Sequence, residues 1–216
     1  MNDNFLKQDD FLIVDLKTAL EEKKRYQVSP GEHAIATGDV VLTTLLGSCV
    51  AACLYDPVNR IVGMNHFMLA SRKYIPENRP FLSEAGRYGV NAMELLINGM
   101  LAKGAQVENL QAKAFGGANV LPALNRLHSQ GSVGEINIRF LRNFLQRENI
   151  PLKSSNLGGT QGMLIHFFSA DYSVYVKPVG KGLSSNIAVK EQRFADKALE
   201  KRERKAPEVE LWYPRR

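Results

Sequence analysis

Thiols are scarce in this 216-residue chain: it has two cysteines, four histidines, and no CxxC or HxxxH pair. Two cysteines are too few for a disulfide scaffold, and the missing pairs argue against a structural metal, so no metal site is expected. No apolar run approaches the roughly 18 residues of a membrane span. The start, Met1-Asn2-Asp3-Asn4-Phe5, has no basic stretch leading into an apolar one. Neither membrane insertion nor a signal peptide is therefore expected, and the thiols fit a reducing, cytoplasmic compartment. Internal repeats and low-complexity segments are absent as well. So is a basic stripe with interleaved aromatics, although the net charge is +6. Half of that excess lies between Asn186 and Arg216, where nine Lys or Arg face six Asp or Glu. A nucleic-acid partner is not expected from that distribution.

What is present is an ordinary globular balance, 44% hydrophobic and 23% charged, enough for one domain with tails. Residues 1–27 read as a polar N-terminal extension. In it Phe11, Leu12, Leu16 and Leu20 have helical spacing, and Glu21 to Arg25 form a solvated end. Residues 28–182 read as the folded domain and 183–216 as a charged C-terminal tail. Within the domain, strands are expected at His33–Thr37, Val40–Leu45, Cys49–Tyr55 and Ile61–Leu69, with near-continuous apolar runs that suit strands buried on both faces. A helix follows, carrying Tyr88, Ala92, Leu95, Leu96 and Met100 on one stripe and ending at Gly104. After a strand at Leu110–Phe115, a second helix begins at Val133, with Ile136, Phe140, Leu141, Phe144 and Leu145 on one face and Asn149 and Pro151 behind it. Strands at Ile150–Ser154, Met163–Phe168 and Val174–Pro178 complete a mixed α/β domain without the regular alternation of a doubly wound sheet. The tail, with little apolar face over 186–205, reads as a mobile or partner-dependent helix that docks on a receptor bundle or acidic lipid.

The chemistry concentrates at Gly47-Ser48-Cys49 and at His66, seventeen positions further on. A thiol with a histidine in reach is minimal machinery for attack on a carbonyl. Gly47 permits a tight turn, which would leave the backbone N–H groups around Ser48 and Cys49 free to hold an oxyanion. His66 shares a strand face with Val62, Met64 and Met68. Spacing alone leaves a blander reading open, in which His66 is a core histidine bonded to backbone and Cys49 a small buried hydrophobe. Cys53 is four residues from Cys49, about 13 Å along a strand. That exceeds the roughly 4.4–6.8 Å of a disulfide, so Cys53 reads as packing. His33, His128 and His166 read as bystanders.

Thr43 to Asp56, followed by Gly63-Met64-Asn65-His66-Phe67-Met68-Leu69, closely resembles the CheD family of chemoreceptor glutamine deamidases. The likeness continues through Arg87-Tyr88-Gly89, Ala112 to Ala118 and Gly134-Glu135-Ile136-Asn137. It covers about residues 30–180. One departure is Asn156-Leu157-Gly158-Gly159-Thr160-Gln161-Gly162, where the family usually has Asp-x-Gly-Gly followed by Gly-Arg. The resemblance implies an α/β sandwich of mixed β-sheets flanked by helices, in a single domain. It implies a protein-glutamine glutaminase that converts glutamine side chains of methyl-accepting chemotaxis receptors to glutamate through a Cys–His–Thr triad. By spacing the triad falls on Cys49, His66 and Thr43, with Thr44 open as a one-residue shift and Gly47 and Ser48 as backbone support. No cofactor is implied, the chemoreceptors are the protein substrate, and some members bind a CheC-type phosphatase. The alternative reading is a non-catalytic adaptor that binds receptors or a phosphatase.

Overall fold

The computed structural model describes residues 4–7, 10–15, 20, 23–69, 84–120, 132–180, 182–184, 186–187, 189–191, 193–194 and 197. Strands β1 (Asn4–Lys7) and β2 (Asp10–Asp15) pair antiparallel as a ribbon. This corrects the helix expected there. Phe11-Leu12-Ile13-Val14 is a short continuous apolar run, and such runs fit a strand as well as a helix by periodicity alone.

The body is a sandwich. One sheet has four strands in the order β11-β10-β5-β3, built from β3 (Lys24–Gln27), β5 (Val40–Leu46), β10 (Met163–Phe168) and β11 (Val174–Pro178). The other has five in the order β4-β7-β6-β8-β9, built from β4 (His33–Thr37), β6 (Val50–Asp56), β7 (Ile61–Asn65), β8 (Gln111–Gly116) and β9 (Leu152–Leu157). Both sheets are mixed: β3 runs parallel to β5 and β8 to β9, while every other pair is antiparallel. Because β3 joins the ladder, the sheet begins four residues before Val28, inside the segment expected to be an extension.

Helices α1 (Glu84–Leu101) and α2 (Val133–Arg147) cover the outer face of the five-stranded sheet. Strand β6 lies between both layers. Ala51, Cys53 and Tyr55 face the four-stranded sheet, and Val50, Ala52 and Leu54 face the helices. That double burial explains its unbroken apolar run, and each large side chain so buried contributes about 1.5–3 kcal/mol. On α1 the buried stripe is Gly86, Gly89, Met93, Leu96 and Met100, so Leu95, 47% exposed, does not belong to it. The glycine at 89 lets the helix approach closely on this stripe: a Cβ there would lie 2.5 Å from Phe140 and 2.6 Å from Leu69.

Helix α2 starts with a full capping box, in which Ser132 accepts from the Glu135 N–H and Glu135 accepts from the Ser132 N–H. Its buried face carries one polar residue, Asn137, among Phe140, Leu141, Phe144 and Leu145. The site lies where Gly47 and Ser48 carry the chain from the four-stranded sheet into the five-stranded one.

Candidate active site

Cys49 stands at the entry to β6 and is fully buried. Its position is held from two sides. The Gly117 N–H donates to the Cys49 carbonyl at 2.7 Å, and the Ala118 N–H donates to that of Gly47 at 2.8 Å. Gly116, with φ +99°, lets β8 end in this tight crossing; a Cβ there would lie 2.3 Å from the Cys49 carbonyl oxygen. Asn137 ties α2 to the same loop. Its amide nitrogen donates to the Ser48 carbonyl at 2.8 Å and its oxygen accepts from the Leu69 N–H at 2.8 Å.

His66 follows the last residue of β7, where the regular ladder gives way to a single bridge between Val50 and Phe67. Its backbone is fixed: the His66 N–H donates to the Glu32 carbonyl at 3.0 Å, and the Gly31 N–H donates to the His66 carbonyl at 2.7 Å. The ring is 1% exposed. Thr44 Oγ1 lies 2.8 Å from Nδ1 and 2.6 Å from the Val28 carbonyl. A hydroxyl has one proton, and a carbonyl only accepts. The Thr44 proton therefore goes to Val28 and Nδ1–H donates to Thr44, which leaves Nε2 as the ring nitrogen open to take up and give a proton. Nε2 is buried without a hydrogen-bond partner among the described residues.

The threonine expected at this place was Thr43. Its hydroxyl instead lies 3.0 Å from Nδ1 of His166. Neighbouring residues of a strand point to opposite faces, and the β5–β10 register sets Thr43 opposite His166. Thr44 is therefore the threonine on His66. His166, expected to be a bystander, is bonded to Thr43 at a distance from the cysteine's face of the sheet. Burial, aided by Arg25 and Lys177, lowers its pKa to about 4.

A fourth group was not anticipated. Glu191, 1% exposed, lies against Cys49 and His66. One sulfur, one ring nitrogen and one carboxylate oxygen of the three residues are all within 4.8 Å of one another. The Glu191 carboxylate accepts from the Gly47 N–H at 2.8 Å, the Ser48 N–H at 2.7 Å, the Ser48 hydroxyl at 2.8 Å and the Cys49 N–H at 3.3 Å. Three successive N–H groups aimed at one point form an anion-binding nest. Oε1 is 3.9 Å from Nε2 of His66, too long for a hydrogen bond and an ion pair only when the ring is protonated. Burial would raise the Glu191 carboxyl, but His66, the Gly47 N–H and Ser48 outweigh it and hold the group below the ordinary carboxylate range. The Cys49 thiol is pushed well above its usual range, first by burial and then by the Glu191 carboxylate.

The signals for Glu191 and Asn137 were in the sequence, each a polar residue on an apolar helical stripe. Glu191 lies between Ile187 and Phe194, and Asn137 lies one turn before Phe140 and Leu141. Cys49, His66 and Glu191 are also the metal-ligand type of cluster among the described residues. They supply three donors, one short of a closed structural zinc site, and both Glu191 oxygens are already engaged by the nest.

A family model described as CheD chemotactic sensory transduction matches residues 68–178. A "Probable chemoreceptor glutamine deamidase CheD 1" of Geobacter sulfurreducens is 42% identical over 90% of this chain and 97% of its own length. A "Probable chemoreceptor glutamine deamidase CheD 2" of Shewanella oneidensis is 50% identical over 73% of this chain and 78% of its own. A solved Neisseria meningitidis protein overlays with a TM-score of 0.40 at 10% identity over 67% of each chain, a likeness too slight to argue from. The match that starts at Met68 takes in β8, α2 and the strands behind the nest, and the relatives extend it over most of the chain, Thr44 to His66 included. By these matches, the chain belongs to the CheD family.

Proposed function

We propose that the chain is a protein-glutamine glutaminase acting on chemoreceptors, with Cys49 as nucleophile, His66 as general base and acid, and Thr44 as the residue that orients His66. The observation that carries this reading is the convergence of Cys49 Sγ, a ring nitrogen of His66 and three backbone N–H groups on one buried point. A separation within 4.8 Å leaves a small side-chain movement before proton transfer, as is common in resting catalytic pairs.

With a receptor glutamine in the site, its carboxamide oxygen takes the nest of Gly47, Ser48 and Cys49. Nε2 of His66 removes the thiol proton, and Sγ forms a bond to the carboxamide carbon. The nest holds the negative charge of the tetrahedral intermediate. The imidazolium, steadied through Nδ1 by Thr44, gives its proton to the departing nitrogen as the C–N bond breaks and ammonia leaves. Water, deprotonated by the same nitrogen, then attacks the thioester. The C–S bond breaks, the thiol is restored and a glutamate side chain remains. The balance is carboxamide plus water to carboxylate plus ammonium, with no redox change.

The names of the relatives support chemoreceptors as the substrate. Two free cysteines agree with action in the cytoplasm. A CheC-type phosphatase is the partner that the resemblance suggests, and co-purification of the two proteins tests it. No helix among the described residues is long and apolar enough to cross a membrane. The enzymatic reading is tested by incubating a receptor cytoplasmic domain with the chain and with Cys49→Ala. Mass spectrometry should find a gain of about 1 Da per converted glutamine, the mass difference between amide and acid in this reaction class, with the intact chain alone. Receptor binding without conversion by either protein would favour the adaptor reading.

A further inference from the structure

The described residues between 182 and 197 are helical. Ser184, Ile187 and Glu191 are buried and Phe194 is half-buried, at spacings of three, four and three, so they share one helical face. Asn186, Val189, Lys190, Arg193 and Lys197 point outward. The groove beneath that face is lined by glycines. A Cβ on Gly31 would lie 2.4 Å from the Phe194 ring, one on Gly47 would lie 2.9 Å from the Glu191 carboxylate and 3.2 Å from Ile187, and one on Gly162 would lie 3.4 Å from Ile187. Ser184 anchors the start, accepting from the Gly162 N–H at 3.0 Å.

The group this helix delivers has a specific chemical identity. Deamidation turns a glutamine side chain into a glutamate side chain, and Glu191 is a glutamate side chain whose carboxylate fills the nest beside Cys49 and His66. We infer that the helical segment carrying Glu191 is an internal product mimic that occupies the deamidation site and must withdraw before a receptor glutamine can enter. The inference rests on the deamidase reading above. Tethering supports it, since a short covalent link gives an occupant an effective concentration of about the millimolar level, enough to compete with a substrate in solution. So does the state of the thiol, because a carboxylate beside Cys49 disfavours the nucleophilic thiolate. Withdrawal removes that charge and opens the nest in one movement, so release of the helix and activation of the nucleophile are coupled.

Two measurements on the full chain decide the matter. In the first, Glu191→Ala and Ile187→Asp are compared with the unaltered chain for kcat/KM on a receptor cytoplasmic domain and for the rate of Cys49 alkylation by iodoacetamide. Ile187→Asp keeps the carboxylate but undocks its helix, and circular dichroism establishes that each variant is folded. Both rates should rise by about ten-fold in both variants, the factor for abolishing a closed state populated nine to one. Unchanged or lower rates in the folded variants would overturn the inference. In the second, Glu191→Gln places a carboxamide where the carboxylate lies, and peptide mapping follows that position. The chain should convert the introduced glutamine to glutamate, and the double variant with Cys49→Ala should retain it. Retention of the introduced glutamine in a preparation that deamidates receptor would overturn the product-mimic geometry and leave the deamidase reading intact. Failure on receptor and on the introduced glutamine alike would remove both.

Discussion

One proton on Thr44 sets the tautomer of His66, because the Val28 carbonyl takes it and Nδ1–H of His66 must then donate to the threonine oxygen. Thr44→Val, an isosteric change, should lower kcat by up to about 10²-fold, within the range that general-base catalysis supplies, with little change in KM, and Thr44→Ser should restore most of it. Thr43→Val should leave kcat near normal and cost about 1 kcal/mol of stability, the net worth of one hydrogen bond, since Thr43 pairs with His166. Steady-state kinetics and denaturant unfolding separate the two. His166 supplies a pH signature of its own. Its folded pKa of about 4 lies below the ordinary 6.5, so the unfolded chain binds the proton more readily. The stability it favours is fully present above pH 6.5 and is lost as pH falls toward about 4. The loss should be on the order of 1–2 kcal/mol after solvent screening, measured by thermal melts across that window, and His166→Gln should flatten it. Legibility at this scale was uneven for a physical reason. Cys49 and His66 stood out because a glycine turn and an apolar strand frame them. The choice between Thr43 and Thr44 depends on which sheet face is inward, and the burial of Thr44 against His66 settles that.

At the scale of elements, α2 does more than cover the sheet. Asn137 turns its buried face into a clamp on the Ser48 carbonyl and the Leu69 N–H, so the loop that presents Cys49 and the segment that presents His66 answer to one side chain. Asn137→Leu, which keeps the branched shape, strands both groups. It should cost about 1–3 kcal/mol in denaturant unfolding, with a fall in kcat larger than the change in KM. Gly116→Ala should be worse, because φ of +99° and a Cβ 2.3 Å from the Cys49 carbonyl cannot both be relieved without moving Cys49. A loss of more than about 2 kcal/mol is expected on strain alone. Most strands and both long helices were legible, because double burial writes near-continuous apolar runs into β6 and β7. The N-terminal ribbon is not legible as strand, since four apolar residues in a row carry no period. Apolar spacing alone does not separate Met93 from Leu95; the close packing at Gly89 goes with Met93 buried and Leu95 47% exposed.

Taken whole, the molecule places the candidate site at the seam of two sheets. Thr44 comes from the four-stranded sheet, Cys49 and His66 flank the ends of two strands of the five-stranded one, and the Gly47-Ser48 crossing supplies the donors between them. A sandwich of mixed sheets flanked by helices was foreseeable from the element order and the family resemblance. The return of the C-terminal helix into the seam was not, because the tail's charge hides a stripe of four residues, Ser184, Ile187, Glu191 and Phe194. The most direct measurement is the mass of a receptor cytoplasmic domain after incubation with the full chain and with Cys49→Ala. The intact chain should add about 1 Da at each modified glutamine, and the variant should add none while still binding. Equal gains from both proteins would take Cys49, and with it the whole site, out of the mechanism.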